Sequence, residues 1–280
     1  MSENVLQDIV AHKRLEVDEA RQRRPLDEVK AAALDTPAPR NFFKALTHPK
    51  RRLKIIAEVK KASPSAGVIR EHFDPAALAQ AYERGGAAAI SCLTDAKYFQ
   101  GDLSHLEAVK AAVDLPVLRK DFIVDAYQLY EARAAGADAV LLIAECLNEP
   151  QLIDLLILAT ELKLTTLLEV HDYESLVQVK AHVGFPLPGY QLLGINNRNL
   201  REMTTDLNHT VQMLREVPDP DLLVSESGIR SHEDVAFLLK HGVYRMLVGE
   251  HLMREPDVEQ ALRDLIHGDD GGENFSIYDV

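Results

Sequence analysis

Residues 53–59, Leu-Lys-Ile-Ile-Ala-Glu-Val, run straight into Lys60-Lys61-Ala62-Ser63-Pro64-Ser65, and this junction decides the fold. The run is apolar in sequence rather than alternating, which is the mark of a parallel strand buried on both faces. An open, doubly wound sheet that binds a dinucleotide carries a G-x-G-x-x-G turn after its first strand. Here that place holds two lysines and small polar residues instead. Seven further runs of the same kind follow, at 87–93, 116–120, 138–144, 165–170, 191–196, 221–226 and 244–249.

Between the runs the spacing predicts helices. Residues 75–84 follow Asp74, a good N-cap, with proline at the first helical position and Gly85-Gly86 as the stop. Residues 126–135 follow Asp125 and end at Gly136, 149–162 carry apolar residues at helical spacing, and Ser231 opens 232–240. Eight strand–helix units close a (β/α)8 TIM barrel more naturally than they form an open sheet. Residues 1–50 lie outside the count. Helical spacing over 5–24 (Val5, Ile9, Leu15, Val17), with charged residues on the other face, then over 26–34 and 41–46, predicts an N-terminal helical extension packed on the barrel. The barrel itself is expected over 51–267, with a polar, glycine-rich, disordered tail at 268–280.

Composition narrows the class. The chain has 280 residues, 46% hydrophobic and 27% charged, enough for one large core. No apolar stretch is long enough to cross a membrane, and Glu3, Asp8 and Lys13 break the layout of a signal peptide, so a cytoplasmic location is expected. Cys92 and Cys146 lack metal-type spacing and read as small buried hydrophobes. The net charge of −13 repels nucleic acid and anionic membranes, so any anionic substrate must meet a local cluster of positive groups.

The charges sit where a barrel does its chemistry, at the carboxyl ends of the strands. Reading the end of each run gives Glu58 with Lys60, Lys120, Glu169, Asn196 with Arg198, Glu226 with Ser227, and Gly249. A single charge at a strand end can be merely solvated. Such side chains at five of the eight strand ends, with a glycine whose backbone can hold an anion at a sixth, are not chance. Glu58 and Lys60 share a face and can pair, as do Asn196 and Arg198, leaving Asn197 for packing or a turn. Arg119 and Lys120 face opposite ways, and spacing alone leaves open which points inward. Glu169 ends an apolar strand and has the makings of a general base. Small residues after the last two strands, Ser225-Glu226-Ser227-Gly228-Ile229 and Leu247-Val248-Gly249-Glu250, fit a phosphate site; the Glu250 side chain must then turn away.

These segments resemble the indole-3-glycerol-phosphate synthase family. The resemblance is carried by Ile-Ile-Ala-Glu-Val-Lys-Lys-Ala-Ser-Pro-Ser (55–65), Ser-Cys-Leu-Thr-Asp-Ala-Lys-Tyr-Phe-Gln-Gly (91–101), Leu-Arg-Lys-Asp-Phe-Ile-Val (118–124) and Ala-Gly-Ala-Asp-Ala-Val-Leu-Leu-Ile (135–143). Leu-Leu-Glu-Val-His (167–171), Gly-Ile-Asn-Asn-Arg-Asn-Leu (194–200), Ser-Glu-Ser-Gly-Ile (225–229) and Leu-Val-Gly-Glu-His-Leu-Met (247–253) complete it, in order along the barrel. It implies ring closure of 1-(2-carboxyphenylamino)-1-deoxyribulose 5-phosphate with loss of carbon dioxide and water, using no metal or organic cofactor. It implies Lys120 as general acid and Glu169 as general base. Lys60 meets the substrate carboxylate and shares acid duty, Glu58 orients the lysines, and Asn196 and Glu226 bond the reacting hydroxyl. Ser63, Arg198, Leu200, Ser227, Gly228, Gly249 and Glu250 become substrate or phosphate contacts, and Phe99 packs on the anthranilate ring.

Two other readings compete. A phosphoribosyl-isomerase-type barrel has no use for lysines at the mouths of both the first and third strands. An inactive phosphosugar-binding scaffold would have lost Lys60, Lys120 or Glu169, and all three are present. The expected partner is a small phosphorylated molecule, with neither nucleic acid nor membrane, the chain acting as a monomer or weak homo-oligomer.

Overall fold

A computed structural model describes residues 4–199 and 204–268. Its eight parallel strands close a barrel: β1 (Lys54–Val59), β2 (Ala89–Leu93), β3 (Val117–Lys120), β4 (Ala139–Ile143), β5 (Thr165–Val170), β6 (Gln191–Asn196), β7 (Leu223–Glu226) and β8 (Arg245–Val248). Each pairs with the next, and β8 closes on β1 with Lys54 opposite Arg245 and Ala57 opposite Val248. The sequence ranges for β5 and β6 coincide with the strands. β7 starts later than expected because Asp219 caps a turn of 3-10 helix, Pro220–Leu222, that takes up the first residues of the run. A small hairpin, Ala62–Ser63 with Gly67–Val68, was not foreseen and sits in the loop after β1.

Helices follow the strands, including Pro75–Gly85, Leu103–Ala112, Ala126–Ala134, Glu149–Glu161, His232–Lys240 and Val258–His267. Their starts are fixed locally. Asp74, Asp102, Asp125, Asn148, Ser231 and Asp257 each accept a first-turn backbone N–H, worth about 1 kcal/mol apiece.

The period of two sorts each strand into an outer and an inner column. Ile55, Ala57, Val59, Ile90, Cys92, Val117 and Val140 face the helices in one large core. Ile56, Ala89, Leu118, Leu141, Leu167, Leu192, Val224 and Leu247 fill the barrel interior. The N-terminal end of that interior is plugged by α3 (Phe42–Thr47), whose Phe42 and Leu46 are fully buried there. Arg245, buried at the start of β8, donates from Nε to the Leu46 carbonyl at 3.0 Å.

The N-terminal segment adds α1 (Asn4–Arg23) and α2 (Leu26–Asp35), and α2 lies against the Ala126–Ala134 helix. Val17, Val29 and Tyr127 make a small core between them, and the Tyr127 hydroxyl donates to the Ala20 and Arg24 carbonyls. Two details of α1 depart from the sequence reading. Leu15, counted on the apolar face, is 61% exposed, whereas Lys13, assigned to the outer face, is only 3% exposed. Lys13 Nζ meets Asp95 at 2.7 Å and Asp121 at 3.0 Å, with Glu16 at 2.6 Å. One buried ammonium thus ties α1 to the loops that follow β2 and β3. The expected tail from 269 onward, and Leu200, lie outside the described residues.

Candidate active site

The inner column of each strand changes character at its carboxyl end. Ile56 is followed two residues on by Glu58, Leu118 by Lys120, Leu167 by Glu169, Val224 by Glu226, and Leu192 leads through Gly194 to Asn196. An apolar layer therefore supports an ionic one, and the ionic side chains converge because strand geometry gives them no other direction. This resolves the choice between neighbours on β3. Lys120 points into the mouth. Arg119 points out and is buried between strand and helix, where it meets Asp121 at 3.1 Å and Glu131 at 2.8 Å.

Lys120 Nζ is the hub, 3.0 Å from Glu169 Oε2 and 3.6 Å from Glu226 Oε2. Asn196 Nδ2 donates to the other oxygen of Glu169 at 3.1 Å. Lys60 Nζ lies 2.5 Å from Glu58 Oε1, the pairing that their spacing predicts. Asn197 turns away from the mouth as expected; its amide donates to Ser225, Glu226 and Ser227 and fixes the β6–β7 junction. Glu250 does swing aside, to Arg198 at 3.3 Å and Arg254 at 2.9 Å.

Electrostatics set the protonation pattern. Burial works against a charged Lys120, but Glu169, Glu226 and Glu58 outweigh it and hold the ammonium pKa above its ordinary value. Burial likewise works against an ionised Glu169, but Lys120 and His171 keep its pKa below the usual carboxylate range. Glu226 goes the other way. Burial, then the Glu169 charge, push its pKa well above normal, because two close carboxylates cannot both ionise cheaply. The mouth thus favours a charged Lys120 and an ionised Glu169, and makes Glu226 the more readily protonated of the two carboxyls. Both Glu226 oxygens are buried, and no described residue donates a hydrogen bond to them.

Two glycines make room for this. A Cβ on Gly194 would strike the Glu226 carboxylate, and one on Gly249 would strike Glu58. Gly194→Ala is expected to displace Glu226 and lower kcat on the order of 10²-fold, since ångström-scale misplacement of reacting groups costs that much. A rate assay on the folded variant checks it; an unchanged kcat would mean that the position of Glu226 does not matter. After β7 the chain turns through Ser227 and Gly228, both at positive φ (66° and 85°). Ser227 is not a glycine, and such backbone strain is held only where surrounding structure over-determines it.

These groups line one cavity of about 1490 Å³ at the carboxyl ends of the strands, roofed by Leu6, Ile9, Val10 and Arg14 of α1. Glu58, Lys60, Ser63, Phe99, Lys120, Glu169, Asn196, Arg198, Glu226, Ser227, Gly228, Gly249 and Glu250 all belong to its wall. Of the site residues expected from sequence, only Leu200 cannot be located, being outside the described residues. Phe99 rests 6.1 Å, ring to ring, from Phe122. The wall also holds residues that the sequence did not single out: Glu145, His171 and Arg230. His171 had a signal, since it stands two residues beyond Glu169 and so on the same side.

The chain is similar to known proteins along nearly its whole length. The sequence pattern described as indole-3-glycerol phosphate synthase matches residues 6–265. An indole-3-glycerol phosphate synthase of Rhodopirellula baltica is 50% identical over 262 residues, covering 94% of this chain and 98% of that protein. Proteins of the same name from Geobacillus thermodenitrificans (47%; 95% of this chain, 98% of that protein) and Rippkaea orientalis (45%; 94% and 89%) follow. Among solved structures, a thiamine phosphate pyrophosphorylase from Pyrococcus furiosus superposes with a TM-score of 0.55 over 77% of this chain and 95% of that one. At 18% identity that likeness speaks for the barrel alone. With a family pattern spanning nearly its whole length and relatives at this identity, the chain belongs to the indole-3-glycerol phosphate synthase family.

Proposed function

We propose that Lys120 and Glu169 divide the acid and base work of this enzyme. The reaction is that of its family: a carboxy-lyase step of tryptophan biosynthesis, closing 1-(2-carboxyphenylamino)-1-deoxyribulose 5-phosphate to indole-3-glycerol phosphate. The reading rests on one observation, the 3.0 Å contact between a buried ammonium and a buried carboxylate facing the cavity.

In this reading Lys120 donates a proton to the ketone oxygen as the aromatic carbon attacks. Carbon dioxide then departs with its bond electrons left in the ring. The resulting hydroxyl leaves as water when it gains a second proton, and Glu169 takes the proton from the carbon between amine and ketone. Lys60, paired with Glu58, meets the substrate carboxylate and shares acid duty. Asn196 and Glu226 hydrogen-bond the reacting hydroxyl. Phe99 packs on the anthranilate ring. The phosphate lies against Ser227, Gly228, Gly249 and the main chain of Glu250, with Ser63 and Arg198 closing that end. Lys60, Lys120, Arg198 and Arg230 supply the local positive charge that a chain of net charge −13 needs for an anionic substrate.

We take residues 1–50 as an extension over a barrel of residues 51–267, and the enzyme as a cytoplasmic monomer or weak homo-oligomer. Among the described residues no helix is long and apolar enough to cross a membrane. The test uses the product's own light. The chain contains no tryptophan, so indole emission rises only as product forms. Purified protein mixed with the carboxyphenylamino substrate should show that rise, and Glu169→Gln should nearly abolish it. Wild-type turnover with an equally active Glu169→Gln would remove Glu169 as the base.

A further inference from the structure

The reaction leaves a proton debt. The carboxylate departs as carbon dioxide without taking a proton, and the ketone oxygen departs as water having gained two. Only one proton is returned, from the carbon between amine and ketone. Each turnover of the ionised substrate therefore draws one proton from solution. It also leaves Glu169 protonated and the lysines depleted. Lys120 and Glu169 are buried, with side chains only 14% and 3% exposed. A route for protons between them and the solvent is a chemical requirement of the site.

Among the described residues, one run of titratable side chains leads away from Glu169. His171 lies just past β5, with Nε2 3.3 Å from Glu169 Oε1 and Nδ1 3.3 Å from Glu145 Oε2. Glu145 sits on the 3-10 turn Ala144–Cys146 after β4, and its Oε1 accepts the His171 backbone N–H at 2.8 Å, which fixes the imidazole between the two carboxylates. From the far side, His209 Nε2 donates to the His171 carbonyl at 3.0 Å. Exposure rises outward along this line, from 3% for the Glu169 side chain to 10% for His171 and 19% for Glu145. An imidazole can accept a proton on one nitrogen and release one from the other, and its ordinary pKa lies near neutral pH.

We propose that His171, backed by Glu145, is the proton port of the active site, carrying solvent protons to Glu169 and through it to Lys120 between turnovers. The path is contiguous: Glu145 to His171 at 3.3 Å, His171 to Glu169 at 3.3 Å, and Glu169 to Lys120 at 3.0 Å. The groups facing the imidazole suit the task. Burial disfavours its charged form, but Glu145 and Glu169 outweigh burial and the repulsion of Lys120, so it stays chargeable above the ordinary histidine range. The proposal rests on Glu169 as the base, and it assigns His171 a role in resetting the site, not in the chemical step.

That division gives the test. In His171→Gln, indole fluorescence is followed with enzyme in excess (one turnover) and with substrate in excess (many turnovers). Starting from charged lysines and ionised Glu169, the single turnover should run within about twofold of wild type. Steady-state kcat should fall about tenfold or more, with KM nearly unchanged, as for loss of a proton-transfer group. Added imidazole should restore the steady state of the variant and leave wild type unaffected. Glu145→Gln, which keeps the histidine, should show the same split at smaller size and stands in if His171→Gln does not fold. Single-turnover and steady-state rates falling together without rescue by imidazole would overturn the proposal, and so would an unchanged kcat. A fault in the underlying reading looks different: Glu169→Gln would then keep its single-turnover rate.

Discussion

Lys120→Met should lower kcat by about 10²- to 10⁴-fold while changing KM little, as removal of a general acid does. The methionine keeps the length and apolar stem of lysine, so the barrel mouth stays filled. What is lost is the proton aimed at the ketone oxygen, an interaction that gains strength only as charge develops there. Phosphate and carboxylate recognition by other groups is untouched, which protects KM. The change also removes the cation that keeps Glu169 ionised, so its carboxyl pKa should rise toward the normal range or beyond. Lys120→Arg should not rescue the rate, because a guanidinium holds its protons too tightly to act as an acid near neutrality. Steady-state kinetics by indole emission reads both variants. A large KM change with kcat preserved would make Lys120 a binding group instead.

The second large effect concerns stability. Lys13→Met is expected to destabilise the fold by about 3–5 kcal/mol, the usual cost of leaving buried partners of an ion pair uncompensated. Asp95 and Asp121 are both buried against the Lys13 ammonium. The loss should be largest near neutral pH. Burial pushes the Asp121 pKa up, but Arg119 and Lys13, with the Thr94 hydroxyl, hold it down at about 2. A folded-state pKa below the unfolded one contributes stability above the unfolded value, and that contribution fades as pH falls through the folded value. The wild-type protein should therefore lose this share between about pH 4 and pH 2, and the variant should show a weaker acid dependence there. Urea midpoints across pH measure it. Lys13→Met combined with Asp95→Asn should recover part of the loss. A variant as stable as wild type would mean that α1 is held on the barrel by its apolar contacts alone. The effect should reach function as well, since the same loops carry Phe99 and precede Phe122, and α1 roofs the cavity.

The contrast between these two lysines shows what the sequence could and could not carry. Lys120 was legible because a strand end in a barrel has a fixed destination, and the charged pair Arg119-Lys120 after Pro-Val-Leu is conspicuous. Whether it or Arg119 faced inward was not legible, since both neighbours of an apolar strand are buried, and only the pairing of β3 with β2 and β4 settles the phase. Lys13 was illegible altogether. In α1 it reads as one more surface charge, and its partners Asp95 and Asp121 come from loops far along the chain. Burial of a charge is a tertiary property, visible only when the partners are in place.

The strands themselves were legible because burial on both faces leaves nearly continuous apolar runs, and the helices because their caps are local. Errors fell at ends where a side chain diverts the backbone, as Asp219 does before β7. The phosphate loops were expected from small residues after β7 and β8. The positive φ of Ser227 was not, since nothing in a serine announces a left-handed backbone. His171 had the right spacing from Glu169, but its meaning depends on Glu145, which arrives from another strand end.

The most direct test of the account is a double-mutant comparison of kcat for Lys120→Met, Glu169→Gln and the two together. If acid and base serve one reaction at one mouth, the double variant should be about as slow as the slower single, because groups acting as a unit are grossly non-additive. Multiplied effects would contradict the account, showing two residues that work independently.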